Sequence, residues 1–355
     1  MWYAGVAWGA DGYTVETVDD TGGSVRPRAR FGRDRIDDLI RHLAAARPPS
    51  GGSGSADGAL VTVVDSTNGI LDGRMMSAGL TVHRADPPVL PSRPAFGSVS
   101  ALDLARAAQR DLTALTRLDP RRGTQTGRES DLDAGIAASV PELDALTAAG
   151  RCLRHGDRDR PEVALTFDDG PQPPYTGQVL DVLERYGVPA TFFCVGLHVG
   201  GYPDELARMR EQGHEVANHT WSHPFLPELT RSELAAQIER TAEAVERTGA
   251  AAPTLFRPPY GSRTPQVMRW LAELDPQVVL WDVEPFDWAM PGADTIARIT
   301  VEQARPGSVI LLHDGGGDRS QTVAALPAII EGLHERGYRF VPAGQLAVPA
   351  PASVA

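Results

Sequence analysis

The stretch Val163–Pro171, with the sequence VALTFDDGP, decides the fold of the second half of this chain. Its apolar and β-favouring residues predict a short buried strand, and Gly170-Pro171 turns the chain away after it. Asp168 and Asp169 stand where this strand ends. Because neighbouring residues of a strand point to opposite faces of a sheet, one carboxylate can bind a metal while the other accepts a proton. Taken alone, the stretch fits equally well with an Asp-rich turn that has no chemistry.

From Val163 onward, apolar segments alternate with segments of helical periodicity. The predicted strands are 163–167, 190–195, 214–218, 254–256, 277–283, 308–312 and 338–341. The predicted helices are 175–186, 204–212, 231–248, 264–274, 294–305 and 322–336. This alternation predicts a mostly parallel sheet, closed or nearly closed into a barrel, with functional residues at the carboxyl ends of the strands.

A pair of histidines follows the predicted strand 214–218. His219 and His223 lie four residues apart in Asn218–Pro224, NHTWSHP. On a helical turn both can point the same way and bind one metal ion. A carboxylate would then complete the set of ligands. Two surface histidines at this spacing also arise by chance. Their occurrence together with an Asp-Asp pair at another strand end favours a metal site.

Two later segments place rigid or aromatic groups at predicted strand ends. In Phe256–Gly261, FRPPYG, the Pro-Pro turn can present the Tyr260 backbone N–H to a reacting carbonyl, and Arg257 can orient a carboxylate. In Trp281–Trp288, WDVEPFDW, aromatic residues flank carboxylates, an arrangement that suits stacking on a sugar ring. The alternatives are a solvated loop arginine and a tryptophan of the core.

A third segment, Ile310–Asp314, ILLHD, ends a predicted strand with His313. Imidazole is the commonest general acid in enzymes, so His313 is a candidate for that role, and a capping histidine is the alternative.

In this order, the motifs TFDDGP, HTWSH, RPPYG, DVEPFDW and LLHD make residues 161–345 resemble the NodB-homology polysaccharide deacetylases, carbohydrate esterase family 4. One such motif is weak, but five in register are highly specific. The resemblance implies an α/β fold, a distorted (β/α)7-type barrel. The patterns of the first half of the chain place a smaller α/β domain before it.

The resemblance also implies a role for each matching residue. Asp168 would be the general base, His313 the general acid tuned by Asp287, and Arg257 the tether of Asp168. The metal ligands would be Asp169, His219 and His223. The Tyr260 N–H, in the turn formed by Pro258 and Pro259, would bind the oxyanion. Trp288 and Leu311 would line the pocket for the acetyl methyl group, with Pro258 and Pro259 also on the substrate side.

The implied activity is hydrolysis of the N-acetyl group of a chitooligosaccharide or peptidoglycan-type glycan, with release of acetate. The implied cofactor is a divalent metal ion, Zn²⁺ first and Co²⁺ or another transition ion second. Two alternatives stay open. One is an amidohydrolase of the same fold that acts on a non-sugar cyclic amide, and the other is a catalytically silent binding or regulatory protein.

The first half of the chain has a different pattern. Trp2–Ala7 and Tyr13–Val18 predict a hairpin, 35–46 and 69–79 predict helices, and Leu60–Val64 predicts a strand that ends at Asp65. This order resembles, weakly, a ribonuclease H-like α/β domain over about the first 90 residues. The first strand, however, carries no carboxylate, so nuclease chemistry is not expected. A helix is predicted for 101–118.

These patterns divide the chain into an α/β domain at 1–118 of unknown function, a linker at 119–160, a NodB-like domain at 161–348 and a tail at 349–355. The net charge of −12 argues against a nucleic-acid partner. The first residues lack a Sec signal, and no apolar run is long enough to span a bilayer. The chain as written is therefore expected in the cytoplasm, without membrane insertion, and export by another route stays open.

Overall fold

A computed structural model describes residues 1–46 and 60–346. The predicted tail 349–355, and a Gly/Ser-rich segment at 48–55 that its composition marks as a flexible loop, lie outside the described residues. The chain forms two compact units. The first contains Met1–Ser130 and Ser222–Gln237, and the second contains Asp131–Trp221 and Ile238–Ala355.

The first unit is built on a six-stranded sheet in the order β3-β2-β1-β4-β5-β6. The strands are β1 (Trp2–Gly9), β2 (Gly12–Val18), β3 (Ala29–Gly32), β4 (Leu60–Asp65), β5 (Thr81–Ala85) and β6 (Thr116–Arg117), and the helices are α1 (Ile36–Ala44), α2 (Asp72–Ser77) and α3 (Ala101–Arg110). The predicted hairpin is confirmed, because β1 and β2 pair antiparallel. β4 lies parallel to β1 and to β5. The ribonuclease H-like resemblance stays a prediction.

The helix predicted over 101–118 ends early, at Arg110. Asp111 has an extended backbone, with φ of −157°, and its carboxylate accepts a hydrogen bond from the Thr113 N–H at 3.0 Å. Such an Asp turn competes with helix continuation. The chain therefore leaves the helix in time for β6 to pair with β5.

Asp65, at the end of β4, is fully buried among hydrogen-bond donors. Its carboxylate accepts bonds from the Thr67 N–H and hydroxyl, at 3.1 and 2.7 Å, and from Ser98 and the Val99 N–H, both at 3.2 Å. Burial raises the pKa of Asp65, while these donors oppose the rise. This carboxylate therefore orders the turn after β4.

The segment Ser222–Gln237 belongs to the first unit through a chain of ion pairs. The buried Arg128 pairs with Asp86 at 2.6 Å and also with Glu228. Arg93 donates to the Glu228 carbonyl at 2.7 Å and lies 3.5 Å from the Glu233 carboxylate. Because the Arg128 side chain is buried, its charge depends on these partners, so the ion pairs favour one position for the segment.

The second unit contains the predicted alternation of strands and helices. From Glu129 onward the elements are α4 (Glu129–Ala138), α5 (Val140–Ala148), β7 (Cys152–Leu153), β8 (Glu162–Asp168), α6 (Tyr175–Tyr186), β9 (Thr191–Cys194), α7 (Gly196–Gly201), α8 (Pro203–Glu211), β10 (Glu215–Asn218), α9 (Arg231–Glu246), β11 (Leu255–Phe256), α10 (Pro265–Leu274), β12 (Gln277–Val279), α11 (Ala293–Gln303), β13 (Val309–His313), α12 (Ser320–Glu335) and β14 (Arg339–Phe340). The first residues of α4, to Ser130, and of α9, to Gln237, belong to the first unit.

These strands form a sheet in the order β13-β8-β9-β10-β11-β12-β7, with β14 beside β8. Every pair in it is parallel. After β12 the chain returns to β13 through a bridge between Val283 and Ile310, so the sheet curls round on itself. Its inner face buries a core of small and aliphatic side chains with Phe193. The predicted parallel α/β fold of barrel type is confirmed.

The stretch 119–160, for which we predicted a linker, contains α4, α5 and β7. β7 pairs with β12 at one edge of the sheet, and Leu143 and Leu146 of α5 are buried. The sequence signal is weak because α4 and α5 are rich in alanine and charged residues and have only narrow apolar faces. β7 has two residues, which is too few for a strand pattern.

Within residues 1–46 and 60–346, none of the helices combines the length and the apolar character that crossing a bilayer requires.

We predict that Gly5→Ala destabilises the first unit. Gly5 lies on β1 under α3, and a Cβ there would come within 1.9 Å of the Ala101 carbonyl oxygen. Overpacking against backbone costs about 1–3 kcal/mol, so the thermal midpoint of this unit should fall by several degrees. Circular dichroism during heating measures it. Gly9→Ala on the same strand is the matched control, because a Cβ there meets nothing within 4 Å. Equal midpoints for the two variants would contradict the packing described.

Candidate active site

The carboxyl ends of neighbouring parallel strands bring the predicted residues to one edge of the second sheet. His313 of β13 stands opposite Asp168 of β8, and Asp168 stands opposite Phe193 of β9. Asn218 of β10 lies between Cys194 and Phe256 in register. His219 and Arg257 directly follow these strands. The register of the sheet therefore gathers side chains that are distant in sequence.

Arg257 is fully buried and holds Asp168. Its Nη1 lies 2.6 Å from Asp168 Oδ1 and donates to the Thr166 hydroxyl at 2.9 Å. Its other donors reach the carbonyls of Val279 and Leu280, and its guanidinium lies 4.0 Å from the centre of the Phe193 ring. Because Thr166 and Asp168 are two residues apart on β8, they share a face, and one guanidinium serves both.

Asp169 turns away from Asp168 because its backbone is left-handed, with φ of 77°. The buried His198 of α7 has its Nδ1 2.8 Å from the Asp169 carbonyl oxygen. Since a carbonyl only accepts, Nδ1 carries the proton. The carboxylate of Asp169 packs against Gly316, where a Cβ would come within 2.5 Å of Asp169 Oδ2. These contacts fix the direction of the second carboxylate.

Asp169, His219 and His223 form a buried cluster that could hold a metal ion. Each offers one ligand atom, and these atoms lie within 4.8 Å of one another. His219 Nδ1 lies 2.8 Å from the Arg257 carbonyl oxygen and so carries the proton. Its Nε2 is left with a lone pair, 3.6 Å from Asp169 Oδ1 and 3.5 Å from Asp168 Oδ2. In metal-binding histidines, the ring nitrogen that does not bind the metal usually donates a hydrogen bond to a carbonyl or carboxylate oxygen.

His313 is held by Asp287, which lies in a 3-10 turn after β12. Its Nδ1 donates to Asp287 Oδ1 at 2.7 Å, and its backbone N–H donates to Oδ2 at 2.9 Å. The Thr322 hydroxyl also donates to Oδ2, at 2.7 Å. Burial acts to lower the pKa of His313, but the charge and hydrogen bond of Asp287 outweigh it and raise that pKa to about 9. The imidazole is therefore protonated at neutral pH.

The predicted substrate-side residues lie around these groups. Leu311 is buried and lies two residues before His313 on β13, so both face the same side. Pro258 and Pro259 are buried, and Tyr260 has a left-handed backbone with φ of 61° in the turn that follows. Trp288 follows Asp287 in its turn. The individual roles of these residues stay predictions.

Three residues near these groups were missed by reasoning from the sequence. They are His198, Glu284 and Asp314. Burial raises the pKa of Asp314 to about 7 against a hydrogen bond from Thr176, and the charges of Asp169 and Asp168 add to the rise. Glu284 accepts bonds from the indoles of Trp281 and Trp288, at 2.9 and 3.2 Å. Glu284 lies inside the motif DVEPFDW and Asp314 inside LLHD, so their positions in these motifs were a signal of chemistry near the site. His198 gives no such signal.

A parallel barrel that gathers carboxylates and imidazoles at the carboxyl ends of its strands is typical of an enzyme of the α/β-barrel class. Comparison with known proteins then identifies the family. Residues 155–279 match the polysaccharide deacetylase family. A peptidoglycan-N-acetylglucosamine deacetylase of Bacillus cereus is 42% identical over 186 residues, which are 52% of this chain and 87% of that protein. A chitooligosaccharide deacetylase of Sinorhizobium fredii is 42% identical over an alignment of 210 residues, and the match covers 56% of this chain and 96% of that protein.

A solved structure agrees with these matches. It is a crystal structure of a peptidoglycan N-acetylglucosamine deacetylase in complex with 4-naphthalen-1-yl-N-oxidanyl-benzamide, and the TM-score to this chain is 0.55. The two are 36% identical, and the match covers 57% of this chain and 95% of the other. The chain belongs to the polysaccharide deacetylase family, carbohydrate esterase family 4, and is a hydrolase acting on carbon–nitrogen bonds other than peptide bonds. The NodB-like fold is thereby confirmed.

We predict that Asp287 sets the protonation of His313. In Asp287→Asn the charge that raises the pKa is gone while burial remains, so the pKa of His313 should fall from about 9 to the ordinary value of 6.5 or lower. NMR titration of histidine Cε1 signals, assigned with His313→Gln, measures it. The control is Thr322→Val, which keeps the carboxylate and should leave the pKa close to 9. An unchanged pKa in Asp287→Asn would contradict the pairing.

Proposed function

We propose that this protein is a metal-dependent deacetylase that hydrolyses the N-acetyl group of an N-acetylated glycan of chitooligosaccharide or peptidoglycan type. The observation that carries the proposal is the buried cluster of Asp169, His219 and His223 beside Asp168. The names of the B. cereus and S. fredii relatives support the two substrate types.

The donor set fits a divalent transition ion. One carboxylate and two imidazoles are the ligands of many catalytic zinc sites, which leave positions open for water and substrate. The proton on His219 Nδ1 also leaves the correct nitrogen for coordination. We therefore propose Zn²⁺ as the ion, with Co²⁺ as a functional substitute. Bound there, the ion would polarise the amide carbonyl and make water acidic enough to lose a proton near neutral pH.

Asp168 is the proposed general base. Its Oδ1 is held by Arg257, and its Oδ2 faces His219 Nε2 at 3.5 Å. The buried guanidinium of Arg257 holds this carboxylate in one orientation. Asp168 Oδ2, which faces the cluster, can thus take a proton from the attacking water. Arg257 keeps the carboxylate of Asp168 from rotating away.

His313 is the proposed general acid. Because its pKa is raised to about 9, it enters the reaction protonated and can donate to the amine nitrogen as the carbon–nitrogen bond breaks. The proposed oxyanion donor is the Tyr260 N–H, a kind of contact that is worth about 3–4 kcal/mol. Leu311 and Trp288 are proposed to receive the acetyl methyl group, next to Pro258 and Pro259. The products are acetate and the free amine.

We also propose that residues 161–348 form the deacetylase domain, to which β7 of the predicted linker adds an edge strand. Residues 1–118 are proposed as a separate α/β domain.

We predict that the protein, freed of metal, releases no acetate from N-acetylglucosamine oligomers and regains activity when Zn²⁺ or Co²⁺ is added. Asp168→Asn should lower kcat by at least about 100-fold, because the base is lost while the shape of the side chain is kept. Enzymatic assay of acetate measures both. The matched control is Asp181→Asn, on the exposed face of α6, which should act as the wild type does.

Two results would overturn this proposal. One is acetate release by the metal-free protein at the full rate. The other is an absence of release from every N-acetylated glycan tried, whatever metal is supplied. Turnover of a cyclic amide under the same conditions would then move the substrate to the non-sugar alternative.

A further inference from the structure

The chain passes from β9 into α7 through Val195–His198, four buried residues that we call the α7 turn. β9 lies between β8 and β10 in the sheet, so this turn follows the strand between those that lead to Asp169 and to His219. None of its four residues belongs to the cluster of proposed metal ligands. Its hydrogen bonds, however, reach both of the loops that carry Asp169 and His219.

Two donors of the α7 turn bind the loop after β8. The Val195 N–H donates to the Gly170 carbonyl at 2.9 Å, and His198 Nδ1 donates to the Asp169 carbonyl at 2.8 Å. Asp169 has a left-handed backbone, which persists in a residue with a side chain where the surrounding structure demands it. Because the two bonds hold successive carbonyls of this loop, they keep Asp169 in that conformation.

Two further donors of the α7 turn bind the loop after β10. The Gly196 N–H donates to the Thr220 carbonyl and the Leu197 N–H to the Trp221 carbonyl, both at 3.0 Å. Thr220 directly follows His219 and also has a left-handed backbone, with φ of 67°. Buried backbone N–H groups need hydrogen-bond partners, and those of the α7 turn find them on two different loops.

The contact between the α7 turn and the second loop is close enough to require a glycine. A Cβ on Gly196 would come within 2.5 Å of Trp221 Cε3 and within 2.7 Å of Thr241 Oγ1. Both distances are far shorter than an ordinary van der Waals contact. The backbone of the α7 turn therefore packs directly on the loop that carries His219.

We propose that the α7 turn sets the spacing between Asp169 and His219, and that His198 is a positioning residue of the metal site. Of its donors to the two loops, His198 contributes a side chain and the others are backbone groups. His198 is therefore the donor that a substitution can remove. The inference rests on the proposed function, because it concerns the ion that Asp169 and His219 are proposed to bind. It makes the affinity for this ion depend on a histidine that is not one of its ligands.

The test compares Zn²⁺ binding by the metal-free wild type and by His198→Leu, measured by calorimetry. Leucine fills much of the space of the ring but donates no hydrogen bond, so the Asp169 carbonyl loses this partner. Outer partners of metal ligands contribute about 10–100-fold to affinity, and His198 bonds the backbone of Asp169, so we expect about tenfold weaker binding. His198→Asn should bind Zn²⁺ as the wild type does, because its amide N–H can replace Nδ1–H.

His214→Leu is the matched control for the loss of a buried histidine. His214 Nδ1 accepts a hydrogen bond from the Ala190 N–H at 3.2 Å. His214 directly precedes β10, at the amino end of the strand, whereas the proposed site lies at the carboxyl ends. This variant should lower the thermal midpoint, followed by circular dichroism, and leave the affinity for Zn²⁺ unchanged.

If the wild type binds Zn²⁺ and releases acetate while His198→Leu binds the ion equally tightly, the positioning role is wrong and the proposed function stands. Weakening of the same size in His198→Asn or in His214→Leu would also contradict the positioning role, since loss of the ring or of stability would then explain it. If the wild type binds no Zn²⁺, the proposed function fails, and the inference fails with it.

A second pair of variants decides the question if His198→Leu does not fold. The amide of glutamine lies one carbon farther from the backbone than that of asparagine, so His198→Gln does not place a donor where Nδ1 stands. His198→Asn should then bind Zn²⁺ more tightly than His198→Gln does. Equal affinities in these two variants would overturn the inference.

Discussion

The ion pair between Arg257 and Asp168 is the interaction on which the rest of the site depends. The guanidinium is fully buried and donates to Asp168, Thr166 and two backbone carbonyls, so it ties β8 to β11 and to the end of β12. Removing one partner of such a pair leaves a buried charge without compensation, at a cost of about 3–5 kcal/mol. The pair is therefore also a requirement for the shape of the sheet edge.

Because Arg257 forms an ion pair with Asp168 and not with Asp169, the two adjacent carboxylates at the end of β8 have different surroundings and can serve different tasks. Asp169 leaves the strand with a left-handed backbone, and its carbonyl is bonded to His198. Its carboxylate then lies with His219 and His223. His313, opposite Asp168 in the register, is paired with Asp287 and kept protonated. The proposed base, the proposed metal ligands and the proposed acid thus come from the ends of neighbouring parallel strands.

Much of this arrangement could be predicted from the sequence, because strand ends in a parallel α/β fold carry their polar residues in short motifs. Asp168, Asp169, His219 and His313 each end or directly follow a predicted strand. What could not be predicted depends on packing between distant segments. α4 and α5 have weak apolar periodicity, and β7 has two residues that pair only because β12 has a free edge. His198 contacts the Asp169 carbonyl because α7 packs against the turn at Asp169, and its own sequence context gives no sign of that contact.

We propose that Asp168 and Asp169 are not equivalent. Zn²⁺ titration of metal-free Asp168→Asn and Asp169→Asn by calorimetry tests it directly, since the two variants lose the same charge one residue apart. Loss of an outer hydrogen bond to a ligand already weakens metal binding by about 10–100-fold. We therefore expect more than about 100-fold weakening for Asp169→Asn and less than about tenfold for Asp168→Asn. Equal losses in the two variants, or a greater loss in Asp168→Asn, would contradict the account.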